Sequence, residues 1–180
     1  MYTKNRTVAQ NRTCILLERT ILKLLETQSF NKITVNKLCD AAPVSRAAFY
    51  SHYDDKYQLL RSALEHKKPE LFGDGIGDLN RDTLLSAVRN IRHHGSAFKN
   101  MLVGDRNHEL FAMFSRIFVD AIAEKLEASQ EKLSMPSNFL SVYAAGGCSY
   151  LVLWWITENY AVSEEELTDR LLELLSRVLR

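Results

Sequence analysis

Apolar residues recur at spacings of three and four along most of the chain, the period of helices that each bury one face. Leu17, Ile21, Leu24 and Leu25 predict a first helix over about 11–27, with Phe30 and Ile33 packing in the short connection after it. Val35, Leu38 and Ala42 continue at the same period, and the Thr34 hydroxyl stands where it can cap that second helix. Pro43 then interrupts, because its ring removes a backbone donor and disfavours helical geometry at Ala42. Ser45 can cap a new helix over 46–53, with Val44 and Phe49 as its buried anchors. Asp54 or Asp55 can cap a further helix that turns Tyr57, Leu60, Ala63 and Leu64 inward. Residues 33–60 thus read as two short helices joined by a tight turn, with a third close behind.

Lys67, Lys68 and Pro69 predict the end of that helix, and Gly73, Gly75 and Gly77 mark a linker. Beyond it, Leu84, Leu85, Val88 and Ile91 predict a helix ending near Gly95, and Phe98, Met101 and Leu102 a short one. Leu110, Phe114, Ile117, Phe118, Ala121 and Ile122 predict a long helix reaching about residue 132. Pro136 opens the next, which carries Phe139, Val142, Tyr143, Gly146, Tyr150, Leu153 and Trp154. Residues 142–156 are almost wholly apolar, but 15 residues fall short of the roughly 20 needed to cross a bilayer. A helix buried on most sides is the expectation there. Ser163 with Glu166 forms a capping box for the last helix. Its stripe is Leu167, Leu171, Leu174, Leu175 and Val178, widened by Leu172 and Leu179. The chain therefore reads as all-α, with about nine helices divided between a three-helix head at 11–66 and a helical body at 78–180.

The short helix after the turn has an unusual outer face. Arg46, Ala47, Tyr50 and Ser51 point away from the buried anchors and present one cation, a phenol, two small side chains and no acid. Small side chains let a helix approach a surface closely. Arg46 can donate two parallel hydrogen bonds to a guanine edge, while Tyr50, His52 and Lys56 can reach phosphates. A helix-turn-helix recognition helix is built this way, although an ordinary helical hairpin with a solvated face would share these features.

The run TVNKLCDAAPVSRAAFYSHYDDKYQLL resembles the DNA-binding region of the TetR family of bacterial regulators. Thr34, Val35, Leu38, Ala42, Val44, Ser45, Arg46, Phe49, Tyr50, His52, Tyr53, Lys56, Leu59 and Leu60 fall in that family's register, and the resemblance covers about 11–66. It implies a DNA-facing set of Thr34, Asn36, Ser45, Arg46, Ala47, Ala48, Tyr50, Ser51, His52 and Lys56. Two positions depart from the pattern. Pro43 stands where glycine is usual, so the turn is expected not to use a positive φ. Ala48 stands where threonine is usual, so one hydroxyl contact to phosphate is missing. More loosely, Tyr143…Gly146-Gly147…Trp154-Trp155-Ile156 is similar to one C-terminal subgroup of the family.

The charge distribution agrees with a polyanion-binding head. Net charge is +1 overall, but residues 1–70 hold 12 Lys/Arg against 7 Asp/Glu, while the remainder is −4. Hydrophobic residues make up 46% of the 180, enough for a packed core, and no repeat or low-complexity run is present. Cys14, Cys39 and Cys148 form no CxxC pair and read as reduced thiols. With the polar, leaderless opening of the chain they place it in the cytoplasm as an expectation.

Catalysis finds no purchase. There is no phosphate-binding glycine loop and no inward carboxylate pair, and Gly147-Cys148-Ser149 lacks the context of a nucleophile elbow. His93 and His94 point to different faces, and with His108 they do not complete a metal set. The chain is expected to need no cofactor and to be no enzyme.

The last two helices carry more apolar surface than one small body would bury, and a second copy is the physical remedy. The resemblance implies the same dimer, with Leu167, Leu171, Leu174, Leu175 and Val178 as interface positions and Leu171 and Leu175 foremost. It also implies a small apolar or aromatic effector in the body, near Phe98, Phe111, Phe114, Phe118, Tyr143, Tyr150 and Trp154, although aromatics at helical spacing are more often plain core. The reading is a DNA-binding regulator, a homodimeric repressor of a palindromic operator released by an effector. The competing reading is a helical protein–protein adaptor or coregulator with weak DNA affinity.

Overall fold

The computed structural model describes residues 8–72, 80–103, 108–128 and 135–178. Among these there is no strand, and nine α-helices and one 3₁₀ turn account for the regular structure. The head holds α1 (Val8–Leu25), a 3₁₀ turn (Phe30–Lys32), α2 (Val35–Ala41), α3 (Arg46–Tyr50) and α4 (Lys56–Phe72). The body holds α5 (Arg81–His93), α6 (Gly95–Leu102), α7 (Glu109–Ala128), α8 (Ser137–Thr157) and α9 (Glu164–Val178).

In the head, α1 turns Cys14, Leu17, Ile21 and Leu25 inward, spaced three and four apart. They meet Phe30, Ile33, Leu38, Phe49, Leu59 and Leu60, all fully buried. The sequence pattern ends α4 at Pro69, but the helix runs to Phe72. A proline in mid-helix forgoes one backbone hydrogen bond without necessarily ending the helix. The three linker glycines, and the predicted end of α7 near residue 132, lie outside the described residues.

In the body, α7 packs along α8 and α5 along α9. Phe98, Phe114 and Phe118 stack edge to face at 6.0 and 5.4 Å. Where α5 passes into α6, Gly95 leaves room for the Tyr160 phenol, whose oxygen occupies the space that a Cβ would need. Tyr160 is held there by Trp155 at 4.8 Å and by the Arg92 guanidinium at 3.8 Å from its ring centre. Head and body share one continuous core. α6 lies against α1, and Asn100 Nδ2 donates to the Leu25 carbonyl at 2.8 Å, which satisfies an acceptor at the open end of α1.

Two expectations about the last helices are corrected. α8 is 21 residues long and apolar enough to span a bilayer by length and composition, yet only one side is buried. Leu140, Ala144, Ala145, Cys148, Val152, Trp155 and Ile156 face the core, and this packing marks α8 as a core helix. Phe139, Val142, Tyr143, Tyr150 and Trp154 face outward, with Tyr143 72% exposed. On α9, Leu167, Leu171 and Leu175 are buried within the chain itself, against α5, and do not form an outer face. Leu174, 46% exposed, stays open beside a half-buried Val178. The stripe is wide enough that its inner half seals the chain's own core while its outer edge remains uncovered.

Candidate nucleic-acid interface

Both short helices of the head begin on the caps read from the sequence. Thr34 Oγ1 accepts from Lys37 N at 3.2 Å, and Ser45 Oγ accepts from Ala48 N at 3.1 Å. Between them, Ala42 N donates to Leu38 O and Val44 N to Cys39 O, closing α2 and turning the chain toward α3. Pro43 has φ of +23°, which contradicts the expectation that proline keeps this turn off the positive side. A glycine would adopt this geometry freely.

α3 ends at Tyr50, three residues short of the predicted end, as Ser51 N donates to Ala47 O and Ser51 Oγ to Ala48 O. Phe49 is its fully buried anchor. Arg46, Ala47, Tyr50 and Ser51 form the exposed face, Ala48 is half-buried at its edge, and His52 is half-buried in the turn that follows. The Tyr50 ring packs edge-on against Phe49 at 5.3 Å, and the Arg46 guanidinium lies 6.0 Å from the Tyr50 ring centre. The phenol thus stands beside the cation rather than sweeping through solvent. Thr34, Asn36 and Ser45 are exposed at the starts of α2 and α3. Thr34 and Ser45 already use their hydroxyl oxygens as caps, so toward a phosphate each has its O–H hydrogen to offer.

Lys56, expected to contact a phosphate, also holds the head together. Its ammonium donates to Phe30 O at 2.8 Å and Ile33 O at 2.9 Å and lies 4.2 Å from the Phe30 ring centre. Burial lowers its pKa from the ordinary lysine value. Two of its three hydrogens therefore tie the 3₁₀ turn to α4, and one remains for a phosphate. Lys56→Ala leaves two carbonyls without their cation. It is expected to cost about 1–3 kcal/mol of stability in urea unfolding.

The sequence reading missed Glu18. This carboxylate is buried on α1 and accepts from Tyr53 Oη at 2.8 Å and Ser62 Oγ at 2.7 Å, while its other oxygen meets His66 Nδ1 at 2.8 Å. Tyr53, predicted to lie on α3, stands in the turn after it and is buried. Burial raises its phenol pKa, and the hydrogen bond to Glu18 adds to that. Glu18 thereby ties α1 and α4 to the segment that leaves the recognition helix. A lone acid between Leu17 and Ile21 was the one available signal.

The seven aromatics expected to line an effector cavity do not enclose one together. Phe98, Phe114 and Phe118 fill the core, Phe111 is half-buried with Tyr150 6.2 Å away, and Tyr143, Tyr150 and Trp154 face outward. A cavity of about 370 Å³ lies instead where head meets body. Arg19, Leu22, Lys23, Leu25 and Glu26 of α1, Leu64 and Lys67 of α4, and His94, Ala97, Phe98 and Met101 at α6 line it. A second groove, of about 460 Å³, lies between α8 and α9 and is lined by Val142, Tyr143, Gly146, Gly147, Leu174 and Val178 with the inner residues Ala144, Cys148 and Leu175. Among the described residues no three His, Cys, Asp or Glu side chains converge as metal ligands.

A family model described as "Bacterial regulatory proteins, tetR family" matches residues 19–63, and one described as "Transcriptional regulator C-terminal region" matches residues 81–177. An uncharacterized HTH-type transcriptional regulator of Bacillus subtilis (strain 168), YxbF, is 25% identical over 175 residues covering 89% of this chain. The chain spans 44% of that curated relative's length. A TetR transcriptional regulator from Streptococcus agalactiae 2603V has the same fold, with a TM-score of 0.68 at 22% identity, covering 96% of each chain. NalD, the secondary repressor of the MexAB-OprM multidrug efflux pump in Pseudomonas aeruginosa, superposes with a TM-score of 0.59 at 16% identity, covering 94% of this chain and 98% of its own. With the capped two-helix head, the exposed α3 face and matches to both parts, the chain belongs to the TetR family of bacterial transcriptional regulators.

Proposed function

We propose that this regulator is a homodimeric repressor that grips a palindromic operator with α3 of each head and is released by a small-molecule effector. The observation that carries the reading is the α3 face: Arg46 and Tyr50 exposed side by side among small residues, on a helix whose Phe49 is locked in the core. Arg46 reads a guanine edge, and Tyr50, Ser51 and the helix starts at Thr34 and Ser45 contact phosphates. Two such heads reach successive major grooves when they sit about 34–36 Å apart.

The outer faces of α8 and α9 support the dimer, because apolar side chains as exposed as Phe139, Val142, Tyr143, Tyr150 and Leu174 are rarely left together in water. An effector that favours another spacing of the heads lowers operator affinity by its differential affinity for the two states. Repression follows when the operator overlaps a promoter. A reporter driven by the region upstream of this protein's own gene tests it, and transcription that rises on deletion of the regulator supports repression. A fall on deletion would make it an activator. A protein–protein adaptor would instead show no salt-sensitive shift of that DNA.

Ala48 supplies a finer test. A threonine there would add a hydroxyl donor at the edge of the face. One neutral donor contributes about 0.5–1.5 kcal/mol, and a phosphate acceptor puts it toward the upper end. Carried twice in a dimer, Ala48→Thr is expected to tighten binding by about 1–3 kcal/mol, on operator and scrambled duplex alike, at fixed salt. A loss confined to the operator would instead make Ala48 a reader of a thymine methyl.

A further inference from the structure

The cavity between α1, α4 and α6 joins an apolar floor and a cationic mouth. We propose that it binds a small apolar carboxylate, such as a medium-length alkanoate or an arylalkanoate. Its role as the regulatory site rests on the function proposed above, but its binding chemistry does not. At about 370 Å³ it has the size of a small-molecule site. The floor is apolar, made by the buried Leu25 and Phe98 and the half-buried Ala97.

At the mouth, the exposed Arg19 and Lys23 of α1 stand with Glu26. Among the described residues neither Arg19 nor Lys23 forms an ion pair. A guanidinium offers two parallel N–H donors that match a carboxylate, and Lys23, one turn further along α1, adds a mobile ammonium. An apolar tail on the floor with its carboxylate at Arg19 satisfies both halves of the site, whereas an apolar cation would meet repulsion at the mouth.

The location supplies the coupling. One wall belongs to the head and the other to the body, and the Asn100 to Leu25 hydrogen bond joins them beside the cavity. An occupant that favours a wider seam shifts α1, and with it the Glu18-linked end of α3, by its differential affinity for the two arrangements.

Isothermal titration calorimetry on the full, DNA-free chain tests this, using decanoate below its micelle concentration, methyl decanoate and decyltrimethylammonium as probes. Decanoate is expected to bind saturably at one per chain, and both other probes at least about tenfold more weakly. The Arg19→Gln/Lys23→Gln pair should weaken decanoate by at least about tenfold, since each removed charge-assisted bond carries that much. Ala97→Trp fills the floor and should abolish binding. Because the charge pair leaves the packed floor intact, it decides the matter even where Ala97→Trp fails to fold. Absence of saturable decanoate binding overturns the proposal, as does ester or ammonium binding as tight as decanoate. Decanoate binding undiminished in either folded variant also overturns it, placing the ligand elsewhere. Decanoate binding without any operator binding would sink the regulatory reading alone, and operator binding without decanoate binding the cavity proposal alone.

Discussion

Glu18→Ala is expected to destabilise the protein by about 1–3 kcal/mol, because a buried donor left without its acceptor carries its full desolvation cost. Three donors converge on this one carboxylate. Ser62 and His66 are open enough to recover water, whereas the Tyr53 phenol is buried and cannot. Most of the loss therefore belongs to Tyr53. Tyr53→Phe alone should recover little, since it leaves the buried carboxylate short of a donor. The pair Glu18→Met with Tyr53→Phe removes donor and acceptor together and should restore much of the stability. Urea unfolding followed by circular dichroism gives these differences. A Glu18→Ala chain within about 0.5 kcal/mol of the parent, the range of ordinary surface substitutions, would show that the cluster does not hold the head together. A weaker tie at Tyr53 also loosens the turn after α3, so DNA affinity should fall with stability in this series.

The second large effect is expected at Gly147. A Cβ at Gly146 or Gly147 would meet nothing within 4 Å in the chain, and both positions are exposed on α8. Replacing a mid-helix glycine by arginine even improves helix propensity by somewhat under 1 kcal/mol, so Gly147→Arg leaves the folded chain intact. In a dimer through the outer faces of α8 and α9 it places an unpaired guanidinium in an apolar contact. A loss of about 3 kcal/mol or more follows, over a hundredfold in the dimer constant. Sedimentation of the parent at micromolar concentration should give about twice the 20.6 kDa chain mass, and Gly147→Arg should give one chain mass with unchanged circular dichroism. A monomeric parent would remove the two-half-site account. A dimeric Gly147→Arg would move the interface away from this groove. Leu171→Asp cannot serve as this test, because Leu171 is buried within its own chain and the substitution would unfold it.

That contrast shows what the sequence could and could not convey. Local chemistry was legible: the caps at Thr34, Ser45 and Ser163 are made by the hydroxyls expected of them, and the anchors Phe49 and Leu60 are buried. Caps and period depend on residues within a turn of one another, which a single chain displays directly. The side chains that were misplaced depend on partners far along the chain. Lys56 meets carbonyls 23 and 26 residues away, and Glu18 meets donors 35 to 48 residues away. The stripe on α9 announces a buried face without saying which half meets α5 and which is left open. The aromatics of α7 and α8 share a period, but the helices rotate Phe114 inward and Tyr143 outward. The head–body cavity draws its walls from three helices, and no local pattern marks it.

The central claim is that two α3 helices of a dimer read a palindrome. Selection of bound duplexes from a random pool, sequenced with the parent and with Arg46→Ala, tests it with no operator assumed in advance. The parent should enrich a palindrome whose half-site centres lie one helical turn, about 10 base pairs, or a multiple of it apart. Arg46→Ala should bind the same palindrome about 1–3 kcal/mol more weakly per contact and lose preference at one base pair in each half-site. A parent that enriches no sequence over the input pool, or an Arg46→Ala chain that selects the parent's motif with undiminished preference at every position, would contradict the account.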